Sequence, residues 1–337
     1  MLNRRSLLAM SALLAAGTIQ TGEAQEATTG SWRQIGGSNA PSPRWDHTLS
    51  ADSDRKRLIV ALGRDNAGTS LGDSFVADRS TGDWEPITSA GPAARFGHAV
   101  AVDRERGKLF LFGGENADVF FNDLWALDLE SLTWEQIDDG SSAPTPRYGT
   151  SLVFDGDAGL LVSHGFTFEG RFDDTWRFDV EGGGWEDVSP DPATRPLRRC
   201  LHEAVWSDET SSMWMYGGCS SGYGPCPQGD LWEFKDGVWT ERTAAGPPAR
   251  TNPSLVVDEA TSSLVLFAGQ TEAGRSSDLW NGAPGSDGLA WTQAASESGP
   301  SPRSSHDAVY SAGAIYLFGG YTDAGAANDL WRLKLED

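Results

Sequence analysis

The chain of 337 residues holds 40 Gly and 14 Trp, both above ordinary usage, on a background that is 39% hydrophobic and 22% charged. Its 26 Lys+Arg against 48 Asp+Glu give a formal charge of −22, which excludes electrostatic binding to nucleic acid or to an anionic membrane surface. Length alone would predict about two domains at roughly 150 residues each. The Gly and Trp excess points instead to a core shared among many short, aromatic-pinned elements.

Residues 1–24 read as a signal peptide: Arg4 and Arg5, an apolar stretch from Leu7 to Gly17, then small residues at Gly22 and Ala24 that suit a signal peptidase. Asn3-Arg4-Arg5-Ser6-Leu7-Leu8 resembles the twin-arginine signal, with Asn3 where Ser or Thr is usual and Leu7 where Phe is preferred. The ordinary secretory route is the alternative. No Cys follows the apolar stretch, which speaks against a lipid anchor, and no later apolar run approaches the ~18 residues of a membrane span. The expectation is a periplasmic or secreted protein, with a linker over 25–31 and one folded body over 32–337.

Three landmarks then recur about every fifty residues. An Arg stands at Arg44, Arg95, Arg147, Arg199, Arg250 and Arg303, with gaps of 51, 52, 52, 51 and 53. A glycine doublet or its remnant closes an apolar run at Leu62-Gly63, Gly113-Gly114, His164-Gly165, Gly217-Gly218, Ala268-Gly269 and Gly319-Gly320. Asp-x-aromatic follows at Asp73, Asp123, Asp174, Asp230, Asp278 and Asp329, and then a further Trp at Trp84, Trp134, Trp185, Trp239 and Trp291. Eleven of the 14 Trp fall on repeat positions, so the tryptophan excess is a property of the repeat.

This order of landmarks resembles the kelch repeat. The resemblance implies an all-β, six-bladed kelch β-propeller with four antiparallel strands per blade. The ends are out of phase: Trp32 opens the chain as a fourth-strand Trp, while the last copy stops at Asp329-Leu330-Trp331 with none after it. Trp32 is therefore expected to complete the last blade and close the ring, which removes most exposed sheet edges.

A four-stranded meander puts its first and third connections on one face. Here these are tight acidic turns such as Asp155-Gly156-Asp157, read as solubilising turn formers. The opposite face carries the Arg segments and the variable loops after the glycines, so a site belongs there. Types repeated in all six blades do blade-level work: the six Arg and six Asp read as structural ion pairs, and His47, His98, His202 and His306, three residues after the Arg, as packing groups.

The non-repeating positions carry the site expectation. Trp45, Phe96 and Tyr148 follow the Arg in three consecutive blades, where Cys200, Thr251 and Ser304 stand in the others. Arg64, Asp65, Asn116, Phe120, Phe121, Phe166, Phe168, Arg171, Phe172, Gln270 and Tyr321 join them from the loops past the glycines. Such an aromatic half-rim suits a sugar ring or an extended peptide; the alternative is that these rings only pack loops onto blades.

All three Cys lie in the fourth copy. Cys219 and Cys226 bracket its longest loop and are the first choice for a disulfide in an exported protein, with Cys200–Cys219 as the alternative pairing. No standard zinc spacing is present, and no metal or other cofactor is expected. Among kelch enzymes, the copper-and-tyrosine set of galactose oxidase has no recognisable copy among the six Tyr, and no His has Asp four residues before it, as in the iron motif of plant specifier proteins. Bacterial sialate mutarotases are more similar, as exported six-bladed kelch propellers. The leading expectation is thus an exported, monomeric binding protein for a glycan or a protein segment. A mutarotase-like sugar enzyme at the central opening is the runner-up. N-terminal sequencing of the exported protein is expected to begin at Gln25; a start at Met1 would overturn the leader reading.

Overall fold

A computed structural model describes residues 29–117, 119–242, 245–285 and 288–336; the expected signal peptide lies outside the described residues. The chain forms a ring of six four-stranded antiparallel blades. Blade 2 is representative: Ala99–Asp103, Lys108–Phe112, Leu124–Asp128 and Thr133–Asp138, from the axis outward. The first strands of the other blades are Thr48–Asp52, Ser151–Phe154, Glu203–Ser207, Ser254–Asp258 and Asp307–Tyr310. They surround the central cavity.

Period-two alternation builds the core. Each second strand is buried on both faces, because a strand's successive side chains point to opposite sides and every blade has a neighbour on each side. In blade 1, Leu58 and Val60 pack toward blade 6, and Ile59 and Ala61 toward blade 2. In blade 2, Leu109 and Leu111 meet blade 1 while Phe110 and Phe112 meet blade 3. The pattern continues round the ring, giving six core clusters, one at each blade boundary.

Closure follows the phase of the ends. Thr29–Ile35 pairs antiparallel with Gly325–Glu336, setting Trp32 opposite Leu333, and serves as the fourth strand of blade 6. It begins three residues before Trp32, and Thr29, Gly30 and Ser31 also pair in parallel with Gly288–Glu297 of blade 5. One strand thus joins the last two blades into a single nine-stranded sheet.

Each repeat Arg is fully buried and anchors its blade. Arg199 Nη1 and Nη2 each lie 2.7 Å from an oxygen of Asp230, Nη1 also donates to the Gly217 carbonyl at 2.9 Å, and Nε donates to the Leu197 carbonyl at 3.1 Å. The same set recurs as Arg44–Asp73, Arg95–Asp123, Arg147–Asp174, Arg250–Asp278 and Arg303–Asp329. The Trp of Asp-x-Trp completes it: two residues on in a strand lies on the same face, so Trp232 Nε1 donates to Asp230 Oδ2 at 2.7 Å. Trp125, Trp176, Trp280 and Trp331 do likewise. Blade 1 has Phe75 there and no such donor, and its Asp73 side chain is 48% exposed against 20% for Asp230.

The backbone of the same Arg binds the preceding blade. Arg199 N–H donates to the Phe172 carbonyl, and the Arg199 carbonyl accepts from Gly165 N–H at 2.9 Å. The glycine doublet makes room for this. Its first residue sits at φ 55 to 74, which Leu62, His164 and Ala268 can enter at a cost, while its second sits at φ 95 to 114 and is Gly in all six blades. A Cβ on Gly218 would lie 2.7 Å from the Cys200 carbonyl oxygen.

Burial opposes the charge of Asp174, Asp230, Asp278 and Asp329, but the Arg hydrogen bonds, the Arg charge and the Trp N–H prevail and hold all four below the usual carboxylate range. Their stabilisation is present above the unfolded carboxylate pKa and is lost as pH falls through the lower folded values. Arg199→Met, which strands the Asp230 carboxylate, is expected to cost about 3–5 kcal/mol in chemical denaturation. Asp73→Asn is expected to cost less than Asp230→Asn; equal losses would refute the role given to the Trp N–H.

Candidate functional site

Two residues beyond each Arg the chain turns through the left-handed region: Asp46, Gly97, Gly149, Leu201, Asn252 and Ser305 have φ of 49, 61, 60, 59, 48 and 53. These six backbones hydrogen-bond head to tail around the axis. Each N–H donates to the carbonyl of the corresponding residue in the preceding blade, with Asp46 donating to Ser305 to close the circle, at 2.8–3.2 Å. This belt rims one end of a central cavity of about 570 Å³, within the range of small-molecule pockets.

The cavity runs from the belt between the first strands to the turn face, where Arg104, Glu105, Asp208 and Glu259 line it. Arg104 of blade 2 and Glu259 of blade 5, on opposite sides of the ring, form an ion pair across that end. Inside, Glu203 and Asp307 occupy the fourth position after the Arg, where the other blades have Thr48, Ala99, Ser151 and Ser254. Asp307 accepts from Leu49 N–H at 2.6 Å, yet burial outweighs this and pushes its carboxyl up to about 7. Burial and the charge of Asp307 likewise hold Glu203 well above its usual range.

The histidines are buried between blades. His98 Nε2 lies 3.0 Å from Thr48 Oγ1, and His306 Nε2 lies 3.0 Å from Ser254 Oγ, each across a blade boundary. Burial, with the nearby Arg charge, pushes His47, His98 and His202 down to about 3, so they are neutral at physiological pH. Among the described residues, no group of three or more His, Cys, Asp or Glu is arranged to hold a metal ion.

Outside the belt lies a layer of aromatic rings and arginines. Trp45 and Phe96 sandwich the Arg64 guanidinium at 3.5 and 4.0 Å, and Arg64 is ion-paired to Asp46 at 2.6 Å. Tyr321 packs on Trp45 at 5.0 Å and carries Arg275 at 4.8 Å. Phe96, Phe120, Tyr148 and Phe166 meet at 5.8–6.3 Å, mostly edge to face, and Arg171 lies over Phe166 at 5.3 Å. Several expected site residues are thereby engaged in holding loops. Asp65 accepts from Ala67 and Thr69 N–H, Gln270 bridges Thr251, and Phe121 and Phe172 lie against the guanidinia of Arg95 and Arg147 at 3.8 and 4.2 Å. Asn116 pairs with Val119 in a short hairpin.

Exposed apolar groups stand above this layer in blades 2 to 4. Val119 is 56% exposed, Phe168 68%, Tyr223 49% and Leu197 48%. Phe168 packs against Phe120 at 4.9 Å and sits at the tip of the blade 3 hairpin of Phe166–Thr167 and Gly170–Arg171, whose Gly170 abuts the Tyr223 hydroxyl, and Gly224 abuts Leu197. Val119, Tyr223 and Leu197 are not among the site residues expected from the sequence, where nothing separates an exposed loop Val, Tyr or Leu from a packed one. Cys219 and Cys226 are joined in a disulfide, and Cys200 is a buried free thiol.

The KLHDC2/KLHL20/DRC7 Kelch-repeats domain matches residues 24–218 and 210–337. The chain belongs to the kelch-repeat family. It is 37% identical over 112 residues to acyl-CoA-binding domain-containing protein 5 of Arabidopsis thaliana, covering 33% of this chain and 17% of that protein. It is 30% identical over 230 residues to Adagio-like protein 3 of Oryza sativa subsp. japonica, covering 63% of this chain and 36% of that protein. Multiple epidermal growth factor-like domains protein 8 of Mus musculus is 27% identical over 271 residues, or 72% of this chain and 9% of that protein. The chain thus spans well under half the length of these relatives.

A carboxyl raised to about 7 binds its proton more tightly folded than unfolded. Its stabilisation is complete below the unfolded pKa near 4 and is lost as pH rises to about 7. Asp307→Asn is therefore expected to shrink the fall in melting temperature between pH 5 and pH 8. An unchanged fall in thermal scans would show that Asp307 titrates normally.

Proposed function

We propose that this protein is an exported binding protein whose hairpin ridge on blades 2 to 4 recognises an extended protein segment. The observation that carries the reading is the clustering of Val119, Phe168, Tyr223 and Leu197, all about half exposed or more, on one face. Large apolar side chains gathered at the surface are the usual mark of an interaction site. The Phe168 ring packs edge to face with Phe120 and the Tyr223 ring carries Arg198 at 5.5 Å, a low-entropy way to present contact area. Glu169, Arg171 and Arg198 lie beside them and supply a polar rim.

The protein-segment reading is favoured over the glycan reading by how the rings are used. The sequence-expected platform of Trp45, Phe96 and Tyr148 is occupied by Arg64 and by neighbouring rings. Export rests on the leader over residues 1–24 and places the partner outside the cytoplasm. The fold supplies a scaffold whose partners are set by its loops.

Peptide and glycan arrays with the purified protein, followed by titration of the best ligand, test this. Phe168→Ala with Tyr223→Ala is expected to weaken binding of a captured peptide at least tenfold, about 1.4 kcal/mol, with little change in melting temperature because both side chains are exposed. Capture of glycans alone, or peptide binding indifferent to the double substitution, would overturn the reading.

A further inference from the structure

Blade 4 differs from the others where the Arg segment meets the strand leaving the glycines. In blades 1, 2, 3 and 5 the residue after the Arg bridges the residue after the doublet as Trp45–Arg64, Phe96–Glu115, Tyr148–Phe166 and Thr251–Gln270; in blade 4 the same bridge is Cys200–Cys219. Both hydrogen bonds of that bridge are made, Cys200 N–H to the Cys219 carbonyl at 3.1 Å and Cys219 N–H to the Cys200 carbonyl at 2.8 Å. Such a directly opposed pair holds its Cα atoms about 5.5 Å apart, inside the range of about 4.4–6.8 Å that a disulfide spans. The free thiol therefore sits across the ladder from a cysteine that is already half of a disulfide.

A cation serves this pair. Arg171, from the blade 3 hairpin, is fixed by hydrogen bonds to the carbonyls of Cys219 at 2.9 Å and Ser221 at 2.7 Å, and its Nη2 lies 3.5 Å from Cys219 Sγ. Burial pushes the Cys200 thiol up, and Arg171 acts against that rise through its charge and a hydrogen bond. The same guanidinium thus favours a thiolate on Cys200 and faces the sulfur that would be attacked. The third sulfur differs in environment: Cys200 and Cys219 are buried, whereas Cys226 is exposed.

We propose that Cys200, Cys219 and Cys226 form an internal thiol–disulfide relay, in which Cys200 displaces Cys226 from Cys219 and moves the staple from the surface loop to the buried ladder. The Cys200 thiolate attacks Cys219 Sγ, the Cys200–Cys219 bond forms as the Cys219–Cys226 bond breaks, and Cys226 leaves as a thiolate that takes up a proton. One disulfide and one thiol are present before and after, so no oxidant or reductant is consumed. The exchange frees the Cys226 end of the loop that carries Tyr223 and delivers a reactive thiol to solvent. It does not depend on what the neighbouring ridge binds.

Cysteine connectivity tests this. The full chain is incubated without reductant at about pH 8.5 with N-ethylmaleimide, quenched in acid, digested without reduction and mapped by mass spectrometry. The expected product carries maleimide on Cys226 and a Cys200–Cys219 cross-link, at least tenfold above the level in Cys200→Ser treated alike. Label confined to Cys200 with Cys219–Cys226 intact, or no label on any cysteine, would overturn the relay. In Cys226→Ser exposed to oxidised glutathione, a Cys200–Cys219 cross-link is expected, and its absence in protein that retains the wild-type melting temperature would equally refute it.

Discussion

The fold depends on a buried arginine repeated six times. A guanidinium inside a protein must have its charge and its N–H groups satisfied, or the cost is several kcal/mol. Here an aspartate two strands away, the carbonyl of the first doublet residue and the carbonyl two residues upstream meet that demand. Each partner lies in a different part of the blade, so one side chain fixes the loop, the turn and the third strand together. The backbone of the same residue is bonded to the preceding blade, so the order inside one blade passes to the next.

This constraint also sorts the two faces of the ring. On the arginine face, the segment after the guanidinium can enter the left-handed region because the arginine fixes it from one side and the six-membered backbone belt from the other. The cost of left-handed backbone at Asp46, Leu201, Asn252 and Ser305 is offset by a closed circle of hydrogen bonds. On the turn face the links between blades run through side chains and include ion pairs such as Arg104 with Glu259 and Arg106 with Glu181. One end of the cavity is therefore bounded by backbone and the other by exchangeable charges. The acidic excess contributes here: the Ser80 hydroxyl and then backbone N–H groups lower the pKa of Asp78, and backbone N–H groups of their own turns lead in lowering those of Asp128 and Asp179.

The aromatic residues divide by the same logic. A ring beside an arginine that is already paired becomes a lid on that arginine, as with Phe121 on Arg95 and Phe172 on Arg147. Such rings stabilise the scaffold through cation–π contact. Phe168 and Tyr223 rise on loops past the reach of the buried guanidinia, and their surfaces stay in water. Position along the loop after the glycines, more than residue type, separates rings that hold the fold from rings that can meet a partner: Phe168 stands at a hairpin tip, while Phe172 on the same loop lies against Arg147.

Much of the architecture is legible in the sequence because a repeat states each rule six times. The spacing of Arg44 to Arg303, the apolar runs and the unmatched Trp32 specify blade number, strand order and closure, since each follows from alternation and from counting. The disulfide choice of Cys219 with Cys226 is also visible, because two cysteines bracket one loop. Three-dimensional proximity decides the rest. Nothing in sequence spacing tells that Asp46 and Ser305 close a circle of hydrogen bonds, or that Arg104 meets Glu259 across the axis. The sequence by itself determined the scaffold, because scaffold energetics repeat in every copy. Only the tertiary structure decided which non-repeating side chains are spent on packing and which face solvent, because those positions occur once and their neighbours come from other blades.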